Sequence, residues 1–164
     1  LPAVDWLHGS GLEIDDGIVC RPDLNVGRPL VYAAGDVARW YNPLFEETMR
    51  VEHWTNANEQ GSLAAVNLLA ESAGQSTQPY APVPFFWSEQ YDHRIQFLGH
   101  TSPGDEARIV AGSVEERRFA AFFGRRGRLR GVLVVNMPRF IMPFRKHFIA
   151  QISWDDALAM LDAT

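Results

Sequence analysis

Residues 71–84, ESAGQSTQPYAPVP, form a polar, proline-rich stretch that neither a helix nor a strand can cross without losing hydrogen bonds. The pattern differs in kind on its two sides. Before it lie one long helical period and one continuous apolar run; after it come short alternating segments separated by turn residues. The stretch therefore reads as a linker between two domains, residues 1–75 and 76–164. Charge follows the same division. Residues 1–75 hold 11 Asp/Glu against 4 Lys/Arg, a net of −7, whereas residues 76–164 hold 9 against 11, a net of +2. A chain of 164 residues, 46% of them hydrophobic, is long enough to bury two small cores.

In the first half, GLEIDDGIVC alternates about an Asp-Asp-Gly turn and predicts a hairpin over Leu12–Cys20. The apolar run PLVYAAGD, Pro29–Asp36, has the composition of a strand buried on both faces of a parallel sheet. In open α/β sheets, ligands lie beyond the carboxyl ends of such strands. Asp36 is accordingly the first candidate site residue. Its carboxylate can accept hydrogen bonds from ligand hydroxyls, and Gly35 lets a backbone or ligand approach closely. The competing reading is that Asp36 caps the next turn. From Val51 to Leu69 the spacing of Ala57, Ala64, Ala65, Leu68 and Leu69 predicts a helix with those residues on one face. One hairpin and one helix do not cover a doubly buried strand, and the chain opens on LPAVDW, so further strands are expected from upstream sequence.

In the second half, RIQFLGH, ARIVAGS, RRFAAFFG and RLRGVLVVN predict four strands of an antiparallel meander, with GRRGR as the last hairpin turn. Arg128 and Arg130 alternate with Leu129, placing the arginines outward and the leucine inward. PRFIMPFRKHFIAQ reads as a helix broken or started at Pro143, and SWDDALAMLDA as a short helix capped by Ser153. Helices covering one face of an antiparallel sheet make this half α+β. Arg117 to Lys146 carries nine basic residues and no acidic one, a pattern that gives a local positive field unless carboxylates elsewhere balance it.

Several function classes are disfavoured. The single Cys20 has no disulfide partner, which points to a reducing, cytoplasmic setting. The five His are scattered without an i, i+4 pair, so no metal site is expected. No apolar run is long enough to span a bilayer, and the arginine-rich hairpin lacks any accompanying nucleic-acid motif.

Three segments, taken in order, resemble one family. GLEIDDGIVCRPDLNVGRPLVYAAGDVARW, RVEHWTNANEQGSLAAVNLL and PVPFFWSEQYDHRIQFLGH are similar to the closing third of the FAD-dependent NADH:ferredoxin reductases of oxygenase systems. The Gly-Asp element is shared widely among flavoproteins with two dinucleotide domains; FFWSEQY at this distance after it is far more specific. The resemblance implies an α+β C-terminal reductase domain, preceded by the closing α/β segment of a Rossmann-like FAD-binding domain. It implies that Asp36 binds the ribityl chain of FAD. EHWTNA resembles the element that meets the flavin at a helix start, with Trp54 at that position and Glu52 and His53 beside it. Trp87 resembles the aromatic residue lying against the flavin ring. The implied reaction passes electrons from NAD(P)H through FAD to a ferredoxin or similar small iron–sulfur protein, and a homodimer is compatible with it.

The departures from the family are equally informative. No G-x-G-x-x-G follows a strand, because GRRGRLRG fills a hairpin turn and opens no helix. The chain is therefore expected to lack the pyrophosphate site and the nicotinamide domain, to hold no FAD by itself and to be inactive alone. Cys20 stands where relatives commonly carry Asp. Two other readings remain: a docking or dimerisation module over residues 78–164, and a related FAD-dependent reductase with another acceptor.

Overall fold

The computed structural model describes residues 1–161. These form two compact units, the first covering Leu1–Pro82 and the second running from Val83 onward.

The first unit is built on a three-stranded sheet of β1 (Ile18–Cys20), β2 (Ala38–Asn42) and β3 (Glu47–Arg50), in that order, followed by helix α1 (Trp54–Ser72). β1 pairs parallel with β2, Ile18 opposite Ala38, and β2 pairs antiparallel with β3. Alternation along β2 sends Ala38, Trp40 and Asn42 inward and Tyr41 outward. The fully buried Trp40 donates its Nε1–H to the Tyr80 carbonyl at 3.1 Å and lies 5.3 Å from the Tyr80 ring. Residues 75–84 are thus no free linker. Thr77 donates to Asp23 Oδ2 at 2.7 Å, the Tyr80 N–H donates to the Pro22 carbonyl at 2.8 Å, and Asn42 Nδ2 donates to the Pro82 carbonyl at 2.9 Å.

Two expected elements of this unit are replaced. The run ending at Asp36 is not a strand. The Val31 carbonyl accepts from Val26 N–H at 3.1 Å and the Ala33 N–H donates to the Leu24 carbonyl at 3.1 Å, so the run folds back on the preceding loop. Leu30 and Val31 consequently stay exposed. Gly35–Val37 is a 3-10 turn, and Asp36 precedes a strand instead of ending one. The Leu12–Cys20 hairpin reduces to a single bridge between Ile14 and Ile18, because β1 takes its partner from β2.

α1 begins and ends close to the expected bounds but presents a different face. Inward point Asn56, Gln60, Ala64 and Asn67, while Val66, Leu68 and Leu69 are exposed. The amides explain the reversal. Asn67 donates to the Asp23 and Gln78 carbonyls at 2.9 and 2.8 Å and accepts from Gln78 N–H at 2.8 Å; Asn56 donates to the Val51 carbonyl at 3.0 Å and accepts from the Tyr80 hydroxyl at 3.1 Å. These bonds satisfy backbone groups of irregular segments that no strand serves.

The second unit is a five-stranded antiparallel sheet of β4 (Phe85–Gln90), β5 (His93–Gly99), β6 (Glu106–Ser113), β7 (Arg118–Arg125) and β8 (Arg128–Val135). Its order is β4-β5-β8-β7-β6, so β5 crosses to β8 and the expected simple meander holds only over β6, β7 and β8. β4 is an additional strand: FFWSEQ pairs along its whole length with β5, Trp87 opposite Gln96. The β7–β8 turn carries Arg126 and Gly127 at φ +51 and +70, the positive pair of a tight hairpin. Helices α2 (Pro138–Ile141), α3 (Phe144–Ile149) and α4 (Trp154–Ala159) follow. Pro143 separates the first two, and the Ser153 hydroxyl accepts from Asp156 N–H at 3.0 Å to cap the third. Fully buried Phe122 lies 5.0 Å from Phe144, 6.3 Å from Phe140 and 6.5 Å from Trp154, ring to ring.

The topology also divides the basic run. Arg117 and Arg118 stand at the start of β7 and Arg125, Arg126 and Arg128 at its far end, about 23 Å away at the rise of an extended strand. Arg125 is ion-paired with Asp105, whose side chain is only 2% exposed. Arg128 donates to Gln151 Oε1 at 3.0 Å. These five cations thus fall into two separate groups, and one of the groups is partly neutralised.

Candidate functional site

The first unit gathers Asp36, Glu52 and Trp54 around the junction of the 3-10 turn, β3 and the start of α1. Gly35 adopts φ +77, and a Cβ there would stand 3.5 Å from that of Ala57, so the turn lies directly on the first turn of α1. The Gly35 N–H donates to Gln60 Oε1 at 2.7 Å. The Asp36 carbonyl accepts from Arg50 Nη1 at 2.9 Å. The Asp36 side chain is exposed and makes no hydrogen bond among the described residues. It does not cap the turn; Ala34 is the N-cap residue and provides no side-chain bond.

Arg50 is the electrostatic centre of this region. Its side chain is 13% exposed; it pairs with Glu52 and, at 3.3 Å, with Asp16. The neighbouring guanidinium holds the Glu52 carboxyl below the usual carboxylate range, and Glu52 in turn raises the pKa of Arg50. Glu52 therefore stays anionic and is engaged with Arg50 rather than presented alone.

Trp54 opens the 19-residue helix α1, with His53 as N-cap, and is 73% exposed. A large indole held outward at a helix start is a flat surface available to a planar ligand or a partner. Trp87 belongs to the second unit. It lies on the edge strand β4, 46% exposed, its ring 6.0 Å from that of Phe85. Its cross-strand neighbour Gln96 is buried, and Gln96 Oε1 has no hydrogen-bond partner among the described residues.

Cys20 takes no part in this chemistry. It is buried in β1 and donates its thiol to the Ile18 carbonyl at 3.2 Å; burial pushes its pKa up to about 11. Such a thiol is a poor nucleophile near neutrality.

Sequence reasoning did not single out Gln60 or Arg50. In NANEQ, Gln60 reads as one more polar residue on a solvated face, and the arginine of RVEHW is one of fifteen basic residues. A polar residue six positions into a helix that follows a Gly-Asp turn was the available signal.

Residues 85–164 match the family model described as reductase C-terminal. Over the whole chain, 33% of residues are identical to the ferredoxin–NAD(+) reductase component of the anthranilate 1,2-dioxygenase system from Burkholderia cepacia, 39% of which is covered. The crystal structure of the ferredoxin reductase for the CYP199A2 system from Rhodopseudomonas palustris superposes with TM-score 0.79 at 34% identity, covering 93% of this chain and 37% of that one. The reductase in the covalent putidaredoxin reductase–putidaredoxin complex superposes with TM-score 0.79 at 25% identity, covering 99% and 39%. The chain thus spans about two-fifths of the length of these relatives.

Proposed function

The chain corresponds to the C-terminal part of the FAD-dependent ferredoxin reductases, and from that premise we propose that it supplies part of the flavin site and of the partner surface in a reductase carrying electrons from NAD(P)H to a small iron–sulfur protein. The observation that carries this reading is the Asp36 carboxylate, exposed and without a protein partner on a turn that is fixed on both sides. A carboxylate so placed is an acceptor for vicinal hydroxyls, the chemistry that a ribityl chain presents. The residues present fit that group.

When bound, FAD supplies the conversion of a two-electron donor into single-electron transfers. The residues of this chain bind and orient it. Asp36 accepts from the ribityl hydroxyls. Trp54 offers its indole at the start of α1, where the positive end of the helix favours negative charge. Glu52 contributes through Arg50, which it holds against the Asp36 backbone. Trp87, in the second unit, provides the aromatic surface for the flavin ring. An acidic iron–sulfur protein is the proposed partner. Arg118 and Arg139 flank an open cavity of about 390 Å³ beside Met137 and Phe140 in the second unit, a combination of positive charge and apolar surface suited to such a partner.

The test is Asp36→Ala in the reductase that contains this chain. Losing hydrogen bonds to a charged group costs about 1.5–3 kcal/mol, so FAD is expected to be retained roughly ten- to a hundredfold less tightly. Unchanged retention after dialysis would remove Asp36 from the cofactor site.

A further inference from the structure

A short surface turn does not by itself keep one carboxylate in place. Two buried or nearly buried polar side chains converge on the Gly35–Asp36 backbone from different elements. From α1, Gln60, with no exposed surface, accepts from the Gly35 N–H at 2.7 Å. From β3, Arg50 donates to the Asp36 carbonyl at 2.9 Å while Asp16 and Glu52 hold the guanidinium itself. The backbone is gripped on both flanks, and the carboxylate between the two grips is left to solvent.

Packing alone does not call for this arrangement. Val37 and Ala38 follow directly, and Ala38 is fully buried; apolar contacts there would anchor the segment to β2. Burying an amide costs free energy unless its groups are paired, and Gln60 Nε2 is buried with no partner among the described residues. The fold retains that orphan donor for the one bond its oxygen makes to Gly35. Two α1 residues complete the geometry: Ala57 sets how closely the turn lies on the helix, and Asn56 ties the helix start to the Val51 carbonyl at 3.0 Å. Asp36 is thereby registered against the helix that carries Trp54.

We propose that Gln60 and Arg50 are positioning residues that act through Asp36, holding its carboxylate where a hydroxyl-rich cofactor chain is bound. The inference rests on the assignment of Asp36 given above and adds residues that bear on cofactor affinity without touching the cofactor.

The experiment is a double-mutant cycle in the reductase that contains this chain, read as FAD dissociation constant by reconstitution of the apoprotein, with thermal stability and the KM for NADH measured alongside. Gln60→Met keeps the volume and removes the acceptor. It is expected to weaken FAD binding roughly three- to tenfold. In an Asp36→Ala background, Gln60→Met is expected to change FAD affinity by less than about twofold. Equal effects in both backgrounds, or a loss that tracks thermal stability alone, would overturn the proposal and leave Gln60 a packing residue. If Asp36→Ala binds FAD as tightly as the parent, the Asp36 assignment fails first and the positioning role falls with it. Should Gln60→Met not fold, Arg50→Lys run through the same cycle decides the matter with the same expected non-additivity. In the 164-residue chain alone, Gln60→Met is expected to speed amide exchange at Gly35 beyond any global change in stability; unchanged exchange there would count against the proposal.

Discussion

The two units differ in what their helices bury. In the second, one face of the sheet meets three helices through Phe122, Phe140, Phe144 and Trp154, and stability comes from apolar area removed from water. In the first, the one long helix turns Asn56, Gln60 and Asn67 inward and leaves Val66, Leu68 and Leu69 outside. Hydrophobic period therefore does not set the orientation of α1; bonds from its amides to irregular backbone do. A satisfied buried polar network costs little, but losing one member strands the others. The helices of the second unit should yield to cavities and α1 to lost hydrogen bonds.

The largest expected effect is on the aromatic side. Phe122→Ala removes a fully buried ring at the meeting point of three helices, and such truncations cost about 3–5 kcal/mol. Hydrogen exchange should show protection lost from β7, β8 and the helices while β1–β3 and α1 keep theirs. Equal loss in both units would mean that they unfold together, and the contrast would collapse.

On the polar side, Asn67→Ala removes three hydrogen bonds and takes a partner from backbone groups of Asp23 and Gln78. At about 0.5–1.5 kcal/mol net for each bond, with the partner groups open to water, a loss of roughly 2 kcal/mol is expected. Denaturant unfolding followed by exchange in residues 75–80 measures it. A loss below about 0.5 kcal/mol, as for an ordinary surface change, would show that the amide network is decoration on an apolar core.

This contrast also marks what the amino acid order reveals. The second half is legible because its strands are short and bounded by turn residues: Leu129 is inward between Arg128 and Arg130, Ser153 caps a helix and Pro143 breaks one. β4 escapes notice because FFWSEQ carries its apolar residues in a block and, as an edge strand, has weak alternation. In the first half, composition misleads. PLVYAAGD is as apolar as a buried strand, yet its backbone groups are claimed by the neighbouring loop, a pairing with no local signature. The inner face of α1 is hidden for a similar reason: Asn and Gln read as solvated until the loops they serve are known. Gly-Asp advertises Asp36; nothing nearby advertises its grip by Gln60 and Arg50.

Alkaline pH offers a third, smaller probe, because Cys20 and Tyr32 both lie in the first unit with pKa values raised chiefly by burial. For Cys20 the folded value is about 11 against an ordinary 9.0. The folded state then holds the proton more tightly than the unfolded chain. Its contribution is fully present below pH 9 and is lost as pH rises from there through the folded pKa, to a total of roughly 2 kcal/mol. Cys20→Ala should flatten the fall in first-unit stability over that interval, relative to the parent at each pH. An unchanged slope would place the alkaline sensitivity on Tyr32 or elsewhere.

The smallest effect tests the exposed side of α1. Leu69 is 66% exposed and Val66 50%, so in this chain neither makes much use of its apolar surface. Leu69→Gln keeps a good helix former on an exposed face and is expected to change the stability of the first unit by less than about 0.5 kcal/mol. Asn67, two residues away on the opposite face, is expected to cost several times more when truncated. That ordering inverts the usual rule that helix leucines matter and asparagines do not. It follows directly from which side of α1 holds the loops. If Leu69→Gln proved the more damaging of the two, the helix would have to be rotated so that its apolar face turned inward, and the bond from Gln60 to Gly35 that holds the Asp36 turn would be lost with it.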